Sequence, residues 1–401
     1  MSSSDVAANA RPRSEPEKSA ERIALAEPSI GGNAARYLRE SLDTNFVSSV
    51  GPFVGRFEAE FAAAVGARHA VACASGTAAI HLALAVLDVG PDDDVLVPSL
   101  TFVASANPVR YVGATPVLVD SERTSLNLDP DIVAAELDRR ARLGIRQPAA
   151  IEIVHLVGHP ADTEPILQVA ERHGVPVLED ASEALGATWT AGALAGRHVG
   201  TVSRIGCFSF NGNKLVTTGG GGMLVTDDEA LARRARHLST QARLAGRAYD
   251  HDAIGFNYRL SNLAAALGVA QLEELPRLLD GRRTNARVYD DAIAGLPAMR
   301  PAVHATWADP SYWLYTAFVD PASSPLTRDE VLDGLAASGI EARPIWTPLH
   351  LTRLYRDAPR LGGAVAEAVF AEAVSLPSSS SLTDGQRMRV VARLGELLAA
   401  G

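Results

Sequence analysis

The sequence of 401 residues has only two cysteines, Cys73 and Cys207, each inside an apolar, strand-like run. Isolated thiols in such runs are typical of buried free cysteines, which argues against a disulfide framework or a metal site. The formal net charge is −10 and there is no basic stripe, so no nucleic-acid partner is expected. No uninterrupted apolar run is long enough to span a membrane. These absences together predict a cytoplasmic protein.

The overall composition is that of a globular protein, with 47% hydrophobic and 21% charged residues. The length exceeds what one hydrophobic core usually serves, so a large and a smaller domain are expected. Residues 1–20 mix Ser, Pro, Glu, Arg and Lys without the apolar segment of a signal peptide. This composition predicts a disordered N-terminal tail.

From Arg68 onward, short β-rich runs alternate with helical patterns, which predicts an α/β fold with a mostly parallel sheet of about seven strands. The predicted strands are 69–74, 95–97, 116–119, 151–156, 176–178, 205–210 and 223–225, and the predicted helices are 77–87, 104–112, 131–142 and 165–173.

The character of the chain changes near residue 282. Before it, Asn262 to Leu279 has the pattern of one long helix that leaves the large domain. Beyond it, residues 312–319 and 340–345 have strand patterns, and 328–337 and 384–399 have helical patterns. We therefore predict a large domain over residues 21–281 and a small C-terminal α/β domain over 282–401.

Lys214 is the first candidate functional residue. It follows a strand-like run and precedes the glycines 219–222. A lysine held on a short loop can form a Schiff base with a carbonyl cofactor. It is not the lysine of a phosphate-binding P-loop, because it precedes the glycines instead of following them. Taken alone, however, a solvated surface lysine is the more common interpretation.

Three further motifs supply what a lysine-bound pyridoxal phosphate would need. Gly76 and Thr77, between a strand and a helix, can offer free N–H groups and a helix N-terminus to a phosphate, and the Ser209 hydroxyl can bind it as well. Asp180, beyond a strand end, can pair with the pyridine nitrogen, and Phe102 can stack on the ring. Each has a structural alternative, a helix cap for Thr77 and Asp180 and a core position for Phe102. Their combination with the lysine predicts pyridoxal phosphate as the cofactor.

The chain resembles the sugar aminotransferases of the DegT/DnrJ/EryC1/StrS family, which are fold type I pyridoxal phosphate enzymes. The resemblance extends from Ile23 to the C-terminus, through residues 75–78, 98–120, 155–162, 179–186, 209–222, 255–271 and 346–350. Segments 44–47, 209–214 and 377–379 are most similar to enzymes that aminate C-4 of nucleotide-linked 4-keto-6-deoxy sugars, of the perosamine, bacillosamine and legionaminic acid types.

The resemblance implies roles for individual residues. Lys214 would carry the cofactor as a Schiff base and move a proton, and Asp180 would pair with the ring nitrogen. The implied cofactor-binding residues are Gly76, Thr77, Ala78, Phe102, Asp180, Glu183, Ser209, Lys214 and Asn257. Asn257 would reach the phosphate from the other subunit, which implies a homodimer with shared active sites. The implied substrate contacts are Asn45, Arg343, Trp346 and His350.

Two positions refine the expected chemistry. Many family members have glutamine three residues after the aspartate, whereas this sequence has Glu183, as the C-4 subgroup often does. The related sugar 3-dehydratases have histidine in place of the lysine, so Lys214 favours amine transfer.

The implied reaction is a two-stage transamination between small molecules. An amino donor, L-glutamate by resemblance, leaves its amino group on the cofactor as pyridoxamine phosphate, and a keto sugar then receives it. Two alternatives remain open. One is dehydration or amination of another ketone or a cyclitol with the same cofactor, and the other is a regulatory protein that keeps the fold without turnover.

Overall fold

The computed structural model describes residues 22–399, so the predicted tail, residues 1–20, lies outside the described residues. The predicted α/β fold is confirmed. In chain order the strands are β1 (His69–Cys73), β2 (Asp94–Pro98), β3 (Thr115–Val119), β4 (Ala150–Val154), β5 (Val177–Asp180), β6 (Thr188–Trp189), β7 (Ile205–Ser209), β8 (Gly222–Thr226), β9 (Met299–Arg300), β10 (Ala308–Asp309), β11 (Tyr315–Val319), β12 (Arg343–Pro344), β13 (Arg360–Leu361) and β14 (Ala373–Leu376).

The helices surround these strands. In chain order they are α1 (Ala34–Asp43), α2 (Pro52–Val65), α3 (Gly76–Val86), α4 (Val103–Tyr111), α5 (Pro130–Leu143), α6 (Thr163–His173), α7 (Glu229–Ser239), α8 (Asn262–Glu273), α9 (Leu275–Ile293), α10 (Arg328–Ala336), α11 (Ala364–Glu372) and α12 (Asp384–Ala399). None of the helices within residues 22–399 is long and apolar enough to cross a membrane.

The main sheet has eight strands in the order β1-β8-β7-β5-β4-β2-β3-β13. Only β8 runs antiparallel to its neighbours, so the carboxyl ends of the other strands meet at one edge. The prediction of about seven strands lacked β13, which pairs with β3 through Arg360 and Leu361. Tertiary contacts hold β13 there, because the Asp120 carboxylate after β3 accepts hydrogen bonds from the N–H groups of Gly363 and Ala366.

A second, antiparallel sheet has the order β12-β14-β11-β9 and packs with α10 and α12 around a core of its own. Ile23 belongs to this core. Its N–H donates to the Gly339 carbonyl oxygen over 2.9 Å, and its own carbonyl oxygen accepts from the N–H of Glu341 over 2.8 Å. The first described residues of the chain are thus fixed to an element formed by its C-terminal part.

The predicted helix from Asn262 to Leu279 is in fact two helices, α8 and α9, which meet at Glu274. Pro276 lies in the first turn of α9, where its missing N–H costs nothing. In the middle of one continuous helix the same proline would remove a hydrogen bond and clash with the preceding turn. The proline therefore explains the break that the apolar pattern did not reveal.

Candidate active site

The sheet positions a cavity of about 280 Å³ at the carboxyl ends of its parallel strands. Ser75 follows β1, Phe102 lies shortly after β2, Val154 ends β4, Asp180 ends β5 and Ser209 ends β7, and all five line the cavity. This edge is where open α/β sheets bind ligands, because the loops that leave the strands converge there. Residues distant in sequence thus share one site.

One end of the cavity is shaped for an anion. Helix α3 begins there, with the Ser75 hydroxyl accepting a hydrogen bond from the Ala78 N–H over 3.0 Å. A Cβ atom on Gly76 would lie 2.8 Å from the Cβ of Ser209 and 3.1 Å from the Oγ of Ser182. The glycine therefore keeps two hydroxyls close to the positive end of the α3 dipole, an arrangement that binds phosphate.

Asp180 is a buried carboxylate with fixed partners. Its Oδ2 accepts a hydrogen bond from the Ser105 hydroxyl over 2.8 Å, and its Oδ1 accepts from the Ser182 N–H over 3.0 Å. The Ser105 hydroxyl is in turn 2.9 Å from that of Thr101. These contacts orient Asp180, which is only 5% exposed, as an acceptor that could hold a protonated ring nitrogen.

Lys214 lies on the loop between β7 and β8, with its amine inside the cavity. Its Nζ is 3.9 Å from Oε1 of Glu183 and 3.6 Å from the centroid of the Trp313 ring. Burial lowers the pKa of Lys214 although the carboxylates of Glu183 and Asp180 oppose the shift, and the charge of Arg282 lowers this pKa further. A lowered pKa increases the fraction of neutral amine, the form that attacks a carbonyl.

Glu183 connects the lysine to the opposite side of the cavity. Its Oε2 accepts a hydrogen bond from the Val157 N–H over 2.7 Å, and its Oε1 accepts from Nε1 of Trp346 over 3.2 Å. Burial raises the pKa of Glu183, while the nearby Lys214 opposes that shift. Val157 has a φ of 50°, which is unfavourable for a β-branched residue. Backbone strain of this kind is typically found at functional sites.

Aromatic rings form one wall of the cavity. Trp346 lies between Phe102 and Trp313, with centroid distances of 4.8 Å and 6.2 Å, and its ring is stacked on that of Trp313 at 25°. Phe102 is 47% exposed, so this wall continues to the mouth of the cavity. Flat apolar groups can stack on such a surface.

The structure brings most of the predicted site residues together. Those that line the cavity are Gly76, Thr77, Phe102, Asp180, Glu183, Ser209, Lys214 and Trp346. The predicted residues Ala78, Asn45, Asn257, Arg343 and His350 are not among its lining residues.

The residues outside the cavity have other surroundings. The ring of His350 contacts Oγ of Ser99 at 2.5 Å and Oε1 of Glu367 at 3.0 Å. Arg343 is paired with Glu341 on the exterior. Asn257 is exposed on a loop, and Asn45 is exposed with a φ of 58°.

Sequence reasoning did not assign roles to Ser105, Ser182 or Trp313, which line the cavity. A hydroxyl three residues after Phe102 is a weak signal, and Trp313 follows Lys214 by about a hundred residues. The scarcity of lysine is a stronger signal. The sequence contains 37 lysines and arginines, yet only two of them, Lys18 and Lys214, are lysines. Lys214 is thus the only lysine among residues 22–399, and lysine, unlike arginine, can form a Schiff base.

These residues fit pyridoxal phosphate. The cavity combines an anion site, a buried carboxylate for the ring nitrogen and an amine with a lowered pKa. Within residues 22–399, no group of three or more His, Cys, Asp or Glu side chains could hold a metal ion, and both cysteines are buried free thiols.

Comparisons with known proteins are consistent with this chemistry. The profile of the DegT/DnrJ/EryC1/StrS aminotransferase family matches residues 28–395. The GDP-perosamine synthase of Caulobacter vibrioides is 41% identical over 379 residues, which cover 94% of this chain and 98% of that protein.

Solved structures have the same architecture. DesV of S. venezuelae is 34% identical with a TM-score of 0.82, over 92% of this chain and 95% of that one. The PLP form of Spr1654 from Streptococcus pneumoniae is 25% identical with a TM-score of 0.84, over 94% of this chain and 99% of that one.

Proposed function

The chain belongs to the DegT/DnrJ/EryC1/StrS aminotransferase family and is a pyridoxal phosphate-dependent aminotransferase, and we propose that it aminates C-4 of a nucleotide-linked 4-keto-6-deoxy sugar. The observation that carries the amine-transfer chemistry is the content of one cavity, where Lys214, Asp180 and Glu183 lie together with an anion site. We further propose L-glutamate as the amino donor.

Each part of the cofactor has a matching group in the cavity. The N-terminus of α3 with Gly76, Thr77 and the hydroxyl of Ser209 would hold the phosphate, and Asp180 would hold the ring nitrogen. Bound there, pyridoxal phosphate supplies the electron sink that stabilises negative charge on the carbon that loses its proton. Phe102 lines the same cavity and would cover part of the ring.

Lys214 would move protons at its Nζ atom. Because burial lowers its pKa, a larger fraction of the amine is neutral and able to take a proton from the donor and return it to the acceptor. Burial also raises the pKa of Glu183, whose Oε1 lies 3.9 Å from this amine.

The acceptor class rests on similarity to the GDP-perosamine synthase and on two features of the site. Glu183 occupies the position that is glutamine in many family members, and the aromatic wall of Phe102 and Trp346 extends to the mouth of the cavity. A sugar or nucleotide could stack there. The proposed substrate contacts Asn45, Arg343 and His350 stay predictions, because they do not line the cavity in a single chain.

We also propose a homodimer with shared active sites. Asn257 would contact the phosphate in the partner's cavity, a role that its exposed position permits. A location in the cytoplasm stays a prediction.

Borohydride trapping tests the assignment of the lysine. The purified protein should be yellow, and borohydride should fix the cofactor covalently to the peptide that contains Lys214. With only two lysines in the sequence, K18R is a matched control that should be labelled like the wild type, whereas K214A should not be labelled. Labelling of Lys18, or normal turnover by K214A, would contradict the proposal.

A substrate panel tests the acceptor. The enzyme should form one equivalent of 2-oxoglutarate from glutamate for each amino sugar, with nucleotide-linked 4-keto-6-deoxy sugars as acceptors. A cyclitol ketone should be a poor acceptor. Formation of amine only from the cyclitol, or loss of water from the sugar without consumption of glutamate, would instead support the alternative reactions.

A further inference from the structure

We propose that Trp313 is a positioning residue whose ring face holds the amine of Lys214 whenever that amine is free of the cofactor. This inference deepens the proposed function, in which Lys214 must move a proton after it is released. An unattached lysine side chain has four rotatable bonds and would otherwise sample many positions. Trp313 restricts it to one.

The contact between the two residues is direct. Nζ of Lys214 lies 3.6 Å from the centroid of the Trp313 ring, well within the 6 Å range of a cation–π interaction. Both side chains line the cavity, and Trp313 is only 2% exposed. Such an interaction is stronger when it is shielded from water.

Three contacts fix Trp313, two at its ring and one at its backbone. Its Nε1 donates a hydrogen bond to the carbonyl oxygen of Asn213 over 2.7 Å, which connects the ring to the residue before the lysine. Arg282 donates to the carbonyl oxygen of Trp313 over 2.6 Å, and Trp346 stacks on its ring. These contacts orient the ring toward the amine of Lys214.

Charges of both signs surround the amine of Lys214. The carboxylates of Glu183 and Asp180 attract the ammonium form of Lys214, whereas burial and the charge of Arg282 disfavour it. Glu183, at 3.9 Å, is too far for a hydrogen bond to the amine. Nζ instead lies over the face of Trp313, 3.6 Å from the ring centroid. The ring stabilises the amine without binding it as firmly as a carboxylate would.

Selective NMR labelling measures this contact without turnover. Biosynthetic incorporation of lysine labelled with ¹³C at Cε into the K18R variant gives a protein with one lysine, Lys214. The protein is loaded with pyridoxamine phosphate, so that the amine of Lys214 is free. The ring current of Trp313 should shift the Hε protons upfield relative to those of a solvated lysine.

Two substitutions separate the ring from other effects. W313L should abolish the upfield shift and lower the titration midpoint of Lys214 by about 0.4 to 1.5 pH units, because the ring favours the charged form. W313F retains a ring and should keep much of both effects. W307L is the matched control, since Trp307 lines a different groove, and should leave the Lys214 signal unchanged.

Three results would overturn the inference. They are Hε protons without an upfield shift in the protein with intact Trp313, a W313L variant with the same shift and midpoint, and a W313F variant that loses as much as W313L. The first of these measurements needs no substitution at Trp313, so it can be made even if W313L does not fold. Failure to bind pyridoxamine phosphate would contradict the proposed function instead, and the lysine signal could still be read in the unloaded protein.

Discussion

Replacing Gly76 by alanine should weaken binding of pyridoxal phosphate. The added Cβ would lie 2.8 Å from the Cβ of Ser209, closer than real Cβ contacts come, and 3.1 Å from Oγ of Ser182. The Cβ of Ser209 is next to the backbone and cannot turn away, so Ser209 or the start of α3 must shift. Either movement displaces a group that we propose holds the phosphate.

The size of the effect follows from the contacts at stake. A hydrogen bond to a charged group contributes about 1.5–3 kcal/mol. Loss of one such bond to the phosphate would raise the Kd of the cofactor about 10- to 150-fold. Folding should be less affected, because Gly76 does not have a positive φ and alanine has the higher helix propensity.

The assay is titration of the cofactor-free protein with pyridoxal phosphate, followed by visible absorbance, together with a thermal melt. G212A is the matched control, since Gly212 lies two residues from the lysine but a Cβ there would meet nothing within 4 Å. It should bind the cofactor like the wild type. A G76A protein with a wild-type Kd and melting temperature would refute the phosphate site at α3.

Two buried carboxyl groups give opposite dependences of stability on pH. Glu152 has no hydrogen-bond partner for either carboxyl oxygen among residues 22–399, and burial, with a smaller effect of Asp180, raises its pKa well above the usual value. The folded state therefore retains a proton that the unfolded state loses above about pH 4.3, so wild-type stability falls as pH rises. In denaturant titrations E152Q should match the wild type near pH 4 and be more stable at pH 8; an equal difference at both values would contradict this. Glu179 is also buried, which alone would raise its pKa, but hydrogen bonds from His155, Ser203 and the Gly200 N–H outweigh burial and lower it. Its contribution is present at neutral pH and lost as pH falls through the folded-state pKa, so E179Q should cost about 1–3 kcal/mol at pH 7 and less below pH 4. The same urea midpoint for E179Q and wild type at pH 7 would show that these hydrogen bonds contribute nothing.

The sequence predicted those parts of the site that follow directly from strands. Asp180, Ser209 and Lys214 lie at or just beyond the ends of β5 and β7, and in parallel sheets such positions face one edge. Local pattern was therefore enough to bring them together.

Tertiary contacts determine what the sequence did not reveal. Trp313 reaches Lys214 only because its backbone is held by Arg282 and its ring stacks on Trp346, and none of these relations has a local pattern. Strand β13 is likewise two residues long and is defined by its pairing with β3. Helix α2, in contrast, has a helical pattern in its sequence. Phe53, Phe57 and Phe61 recur at intervals of four and are all buried.

The short strand β13 also has a consequence for how the protein behaves in a crowded solution. Without it, β3 would be the edge of the main sheet and would present free N–H groups beside the apolar residues Val117 and Leu118. Such an edge can pair with the same edge of another molecule and start aggregation. The carbonyl oxygens of Pro359 and Leu361 accept hydrogen bonds from β3 and from Asp120 just beyond it. The two-residue strand β13 thus covers the edge of β3. It is itself too short to form a long exposed edge that could pair with another molecule.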